Sequence, residues 1–394
     1  MLFARSANPF GVAVEKIKQH DAQAMNNELC RMFGLEVPIF AFSHCRDVVV
    51  EVSRAGGMGV LGVARMSPQR LHEELAWIDA HIDGRPYGID VLMPTTYADV
   101  GEHKFDAEQL FPPEQLAFVR DMLDAAGIPK LPPALEQELK RNLLSESTFT
   151  REESAKMIEI ALNHPIRVLV NGLGTPPREV IDACHARGIK VGALAGLPKH
   201  ALRHKAAGCD FVIAIGTEAA GHTGNVTSMV LWPRIVDAVA PLPVLGGGGV
   251  GRGRQLAAAL ALGCEGVWCG SIWLKTVQSE VLPEIKAKFF AAGSEDAVLT
   301  KSVTGKQCRT LRSAFTDAWN RPDAPSPLPA PLQGLLWWGE GRLRVERARA
   351  AEFLTYPVGQ IVGDMTSETT VRQVVREMLE ELVESKERLD RLFA

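Results

Sequence analysis

The segment Gly216-Thr217-Glu218-Ala219-Ala220-Gly221-His222-Thr223-Gly224 sets one imidazole among glycines, directly after the apolar run Phe211–Ile215. A histidine so placed can act as a general base or hydrogen-bond donor near neutral pH. A lone histidine is more often a structural or solvated group, so its setting must decide. Two further glycine clusters also follow apolar runs: Gly246 to Gly249 after Leu242–Leu245, and Gly270-Ser271 after Gly266–Cys269. Glycine permits close backbone approach and positive φ. Amides grouped in such turns bind anions, phosphate above all. One cluster alone could be only a tight turn, whereas two at successive strand ends read as an anion cradle.

Other polar groups also sit where apolar runs end. Ser43 and His44 follow Val37–Phe42, Asp90 lies in Tyr87–Met93, and Asn171 ends Arg167–Asn171. Each is placed to meet a ligand or to fix a neighbouring loop. Cys45 beside His44 is a weak nucleophile candidate, because adjacent side chains usually point apart. Gly56-Gly57-Met58-Gly59 lacks dinucleotide-loop spacing and reads as a helix C-cap and turn. Gly251-Arg252-Gly253 lacks the acidic partner of that fingerprint. The seven cysteines are scattered with no Cys-x-x-Cys, so no metal site is expected.

These groups need a frame that brings strand ends together. Apolar runs begin near residues 37, 60, 87, 167, 190, 211, 244 and 266, and helical periodicity fills the intervals at 47–55, 67–83, 177–187, 198–207, 230–239 and 254–262. The runs are continuous rather than alternating, as when both strand faces are buried. Eight strand–helix units predict an α/β fold, a (β/α)8 TIM barrel. In such barrels the phosphate site lies in the loops after strands seven and eight, where the two glycine clusters fall.

The expected division is a flexible N-terminal extension at 1–25, a barrel from 26–94 and 151–275, a helical insertion at 95–150 after the third strand, and a C-terminal extension at 276–394. The extension holds the proline-rich Ala324–Pro331 and an amphipathic helix at Thr370–Leu392 with apolar Val371, Val374, Val375, Met378, Leu382 and Leu389. The composition, 46% hydrophobic and 23% charged, supports a sizeable core. The net charge of −4 argues against a nucleic-acid binder. No run is long and apolar enough to span a membrane. The scattered thiols and the absence of a signal-peptide core point to the cytoplasm.

The chain resembles the nitronate monooxygenase family, formerly 2-nitropropane dioxygenases, which are FMN-dependent barrel enzymes. The resemblance rests on Arg54-Ala55-Gly56-Gly57-Met58-Gly59-Val60-Leu61, Gly88-Ile89-Asp90-Val91, the Gly216–Gly224 segment, Pro243–Gly253 and Gly266–Ile272. It covers about residues 26–275 and continues more weakly at Thr304–Arg312 and Gly359–Asp364. It implies FMN phosphate on Gly248, Gly249, Gly270 and Ser271, with Gly247 beside them. It also implies Gly221 and His222 by the flavin ring, with His222 as base or substrate-orienting group, and it leaves Asp90 as a cofactor contact. Ser43, His44 and Asn171 remain substrate-side candidates. The chain differs from the family at the first strand, with Phe40-Ala41-Phe42-Ser43-His44-Cys45 in place of the common Gln-Ala-Pro-Met. Asp90 stands where Gly-Val-Asn is usual.

The implied activity is oxidation of alkyl nitronates with O2 to a carbonyl compound and nitrite. Two alternatives stay open: an NAD(P)H-dependent flavin reductase acting on a quinone or enoyl thioester, and a non-catalytic flavin-binding protein. The expected partners are a small-molecule substrate and O2, with NAD(P)H and a homodimer built on the insertion and tail left open. Neither nucleic acid nor membrane is expected as a partner.

Overall fold

The computed structural model describes residues 27–64, 66–93, 110–142 and 151–394. The expected extension at 1–25 and parts of the insertion, 95–109 and 143–150, lie outside the described residues. Eight parallel strands close a barrel in sequence order: β1 Ile39–Ser43, β2 Met58–Gly62, β3 Tyr87–Asp90, β4 Val168–Asn171, β5 Lys190–Ala195, β6 Phe211–Ile215, β7 Val244–Gly247 and β8 Gly266–Cys269. β1 pairs with both β2 and β8, which closes the ring. This is the predicted (β/α)8 fold.

Local chemistry sets the helices between them. Ser67 caps Pro68–His81 by accepting from the Arg70 amide at 3.2 Å, with Pro68 in the first turn. Gly208, at φ +98°, closes Pro198–Ala207. Before β1, Asn27 caps Glu28–Phe33. Phe33 from that helix meets Phe40 and Phe211 edge-on at 5.7 and 5.9 Å. These rings join Met58, Val60, Val168, Val170, Ile213, Leu245 and Trp268 to fill the barrel interior.

Side chains alternate along a strand, so the positions two residues beyond that interior set also face inward. They are Phe42, Gly62, Gly172, Ile215, Gly247 and Gly270, and the same alternation from Gly88 brings Asp90 inward. The top layer of the barrel thus mixes glycine with larger groups: a Cβ at Gly62 would run into the Phe42 ring at 2.6 Å, and one at Gly247 into Ile215 at 2.5 Å.

The insertion and the C-terminal extension meet each other. Arg120, on helix Pro113–Ala125, pairs with Glu340 through two bonds of 2.9 and 3.0 Å. Arg344 reaches Asp124 and the Ile128 carbonyl, each at 2.6 Å, and Phe118 packs on Trp319 at 4.8 Å. The terminal helix Val371–Phe393 buries Val371, Val374, Val375, Met378 and Leu379 against helix Gly253–Ala261. Leu389 lies on the predicted apolar face but is 44% exposed, because the helix runs past the body it packs on. β9 (Ala297–Thr300) and β10 (Cys308–Leu311) form an antiparallel pair in the extension. Among the described residues no helix is long and apolar enough to cross a membrane.

Candidate active site

The amides of Gly249, Val250, Gly270 and Ser271 donate to no protein acceptor among the described residues. They belong to the ends of β7 and β8, neighbouring strands. Backbone donors without partners are costly unless water or a ligand takes them, so this pair of strand ends presents grouped donors of the kind that suit an anion. Gly248 and Gly249 have φ of +115° and +66°. A Cβ at Gly248 would lie 2.7 Å from the Ser228 hydroxyl, and one at Gly249 2.9 Å from Glu218 Cβ. A Cβ at Gly270 would meet only Phe42, at 3.9 Å, and so would project into the open mouth. Gly247 plays a different part. Its carbonyl accepts from the Gly216 amide and Trp232 Nε1 at 2.9 and 3.1 Å, which locks β7 to the β6 loop.

Residues outside the predicted set hold these glycine turns. The Glu218 carboxylate accepts from the Ser228 amide at 3.0 and 3.1 Å and from its hydroxyl at 2.8 Å. It thereby anchors the start of helix Ser228–Val239. Ser271 Oγ accepts from the Gly359 amide at 2.8 Å, and the Gln360 amide donates to the Glu218 carbonyl at 2.9 Å. The tail turn at Gln360–Asp364 thus closes one side of a cleft of about 350 Å³ lined by Glu218, Gly248, Gly249, Gln255 and Gln360. The weak similarity at Gly359–Asp364 was the signal for this contact. Glu218 lay inside a recognised motif, but nothing in its type separated an anchor from a ligand contact.

His222 is exposed at the mouth, and its Nδ1 lies 3.0 Å from the Gln307 carbonyl. A carbonyl only accepts, so Nδ1 carries the proton and Nε2 is left as the acceptor. Gly221, at φ +71°, makes the turn that allows this. The tail fixes the loop again, because Arg309 in β10 donates through Nε to the Thr217 carbonyl at 3.0 Å.

His44, across the mouth, repeats the arrangement. Its Nδ1 is 2.7 Å from the Gly62 carbonyl, and its ring meets Phe42 edge-on at 5.1 Å. Crowding by protein on its inner side lowers its pKa, partly opposed by the Gly62 bond, although the ring edge stays exposed. Neighbouring Ser43 accepts from the Cys45 amide at 3.1 Å. The Cys45 thiol is buried, donates to the Gln278 carbonyl at 3.0 Å, and has its pKa raised by burial. It is a packing group, not a thiolate nucleophile. All seven cysteines are free and buried.

Asp90 and Asn171 sit on adjacent strands but differ in kind. Asn171 spends its whole amide on backbone. Its oxygen accepts from Met93 and Leu173, each at 3.0 Å, and its nitrogen donates to Met93 and Gly174 at 3.0 and 3.1 Å. It ties the β3 and β4 loops together and has no donor left for a substrate. Asp90 is 4% exposed and accepts from the Gly172 amide at 2.9 Å. Burial pushes its pKa up to about 7, against the lowering effect of that one bond.

Comparison with known proteins adds the family. A model described as nitronate monooxygenase matches residues 38–381, further into the tail than the predicted span of 26–275. A provisionally named monooxygenase of Mycobacterium tuberculosis is 47% identical over 86% of this chain and 92% of its own length. A protein of Staphylococcus haemolyticus provisionally named a nitronate monooxygenase is 26% identical, over 79% of this chain and 85% of its own. Among solved structures, a nitroalkane oxidase from Streptomyces ansochromogenes superimposes with a TM-score of 0.74 at 24% identity, over 92% of this chain and 99% of that one.

Proposed function

Because this chain belongs to the nitronate monooxygenase family, we propose that it binds FMN at the barrel mouth and oxidises an alkyl nitronate with O2 to a carbonyl compound and nitrite. The single observation that carries the cofactor reading is the set of unpaired amides at Gly249, Val250, Gly270 and Ser271. The residues fit the group: the amides would hold the phosphate, and Gly270, whose Cβ would meet only Phe42 at 3.9 Å, leaves room beside them.

FMN, when bound, supplies the electron transfer between substrate and O2. The protein's own groups handle the substrate. With Nδ1 pinned by Gln307, His222 presents Nε2 to the mouth. Protonated, it would hold the nitronate anion; neutral, it could take the α-proton of a nitroalkane. His44, pinned by Gly62, presents a second imidazole edge from the opposite side. The buried free thiols support a reducing, cytoplasmic setting.

The test is nitrite release from an alkyl nitronate by purified yellow protein without added nicotinamide. Absence of FMN after purification and reconstitution would overturn the cofactor reading. Bound FMN with no nitrite release would overturn the substrate.

A further inference from the structure

The inward-facing top layer of the barrel carries one carboxyl group. Asp90 ends β3, is 4% exposed, and has Oδ1 fixed by the Gly172 amide at 2.9 Å. Its Oδ2 has no hydrogen-bond partner among the described residues. A Cβ at Gly172 would sit 3.2 Å from Oδ1 and 3.3 Å from Oδ2, so glycine there keeps a side chain from crowding the carboxyl group. Register places Gly62 of β2 on one side and Val170 of β4 on the other. The loops beyond them bring Leu92, Met93 and Asn171, and no charged side chain among the described residues acts on Asp90. The titratable group on this side of the mouth is His44, tied to the Gly62 carbonyl and itself held toward the neutral form.

A carboxylate in this position would be anionic, desolvated and half-bonded, a costly state. A carboxylic acid would turn the free oxygen into a donor. We propose that Asp90 works as an un-ionised acid and donates a hydrogen bond from its free carboxyl oxygen to a flavin ring lying at the barrel mouth. It is then a proton-dependent cofactor-binding residue. In the acid form it supports ring binding and reduction. In the ionised form it loses the donor and sets a negative charge beside a ring that must accept electrons. No covalent step is involved; the proton stays on the carboxyl group while the bond lasts.

This inference rests on the FMN reading, and the test separates the two. FMN affinity and the flavin midpoint potential are measured on the wild type and on Asp90→Asn from pH 5 to 9. The asparagine keeps the shape and a donor but cannot ionise. In the wild type, the Kd for FMN should climb above pH 7 by up to about tenfold per pH unit, and the potential should fall more steeply than in the variant. In Asp90→Asn both should lack that break. FMN uptake with superimposable pH profiles would overturn the role of Asp90 alone, whereas failure of both proteins to take up FMN would overturn the reading beneath it. Infrared spectra of the wild-type holoprotein give a second readout should the variant fold poorly. A carboxylic acid band that shifts when FMN binds and persists to higher pH in the holoprotein than in the flavin-free protein is expected. A band indifferent to FMN would contradict the contact.

Discussion

Gly221 and Arg309 exchange two backbone hydrogen bonds, 2.9 Å from the Gly221 amide to the Arg309 carbonyl and 2.7 Å in return. One residue lies in the loop after β6 and the other in the C-terminal extension. The loop that carries His222 is therefore stitched to the tail at Gly221, at Thr217 by the Arg309 guanidinium, and at His222 itself by Gln307. Removing the Arg309 side chain leaves the Thr217 and Ala297 carbonyls without their donor. Arg309→Ala should cost about 1–3 kcal/mol and raise amide exchange across residues 217–224, as read by mass spectrometry. Unchanged exchange there would show that the tail does not steady the loop.

His222→Ala should retain FMN and lose turnover by about 10²–10⁴-fold, the usual worth of a positioned acid or base. Flavin content by absorbance and nitrite yield separate the two effects. Turnover within a factor of two of wild type would remove His222 from the chemistry.

His44 should matter less. Replacing it with alanine removes one hydrogen bond worth about 0.5–1.5 kcal/mol, so kcat/KM should fall about 3–10-fold with FMN retained. Its lowered pKa keeps it neutral to lower pH than an ordinary imidazole, and the penalty on its charged form should appear on the acid side of the profile. The kcat/KM profile should therefore lose part of its acid limb in the variant. Identical profiles would make His44 a wall of the site and nothing more.

Two glycines distinguish a phosphate cradle from a structural turn. Gly249→Val pushes into Glu218 and strains a residue at φ +66°, so it should lower both FMN retention and the melting temperature of the flavin-free protein. Gly270→Ala is the cleaner probe, because its Cβ meets only Phe42 at 3.9 Å. It should weaken FMN binding at least about tenfold while leaving the flavin-free protein as stable as wild type, since ordinary surface-like changes stay within about 0.5 kcal/mol. Full FMN affinity in Gly270→Ala would move the phosphate elsewhere.

Asp90 also links pH to stability. Its folded pKa lies above the ordinary carboxyl value, so the folded chain binds more protons than the unfolded one between about pH 4 and 7. Stability from the neutral acid is whole below pH 4 and is lost as pH rises toward 7. Flavin-free Asp90→Asn should therefore gain on wild type with rising pH, by on the order of a few kcal/mol at pH 8. A constant difference in denaturation midpoint from pH 5 to 8 would contradict this.

The barrel was legible because its strands are buried on both faces and read as unbroken apolar runs. The glycine turns at the ends of β7 and β8 were legible because they follow apolar runs directly. The tail's part was not: Arg309, Gln307 and Gly359 act through backbone and long-range contacts that leave no local spacing, and only a faint similarity marked their segments. Asn171 left two readings open, a ligand contact or a loop tie, for a related reason. Its type and place fit a substrate contact, but its amide is wholly taken by Met93, Leu173 and Gly174. Sequence also placed Asp90 without showing that one of its oxygens is unpartnered and the other is held by Gly172.

The most direct measurement is anaerobic flavin absorbance of the purified protein, mixed separately with an alkyl nitronate and with NADH or NADPH. Bleaching by the nitronate alone, followed by nitrite release on admitting air, is the expected result. Bleaching only by the nicotinamide would contradict it and make the protein a flavin reductase.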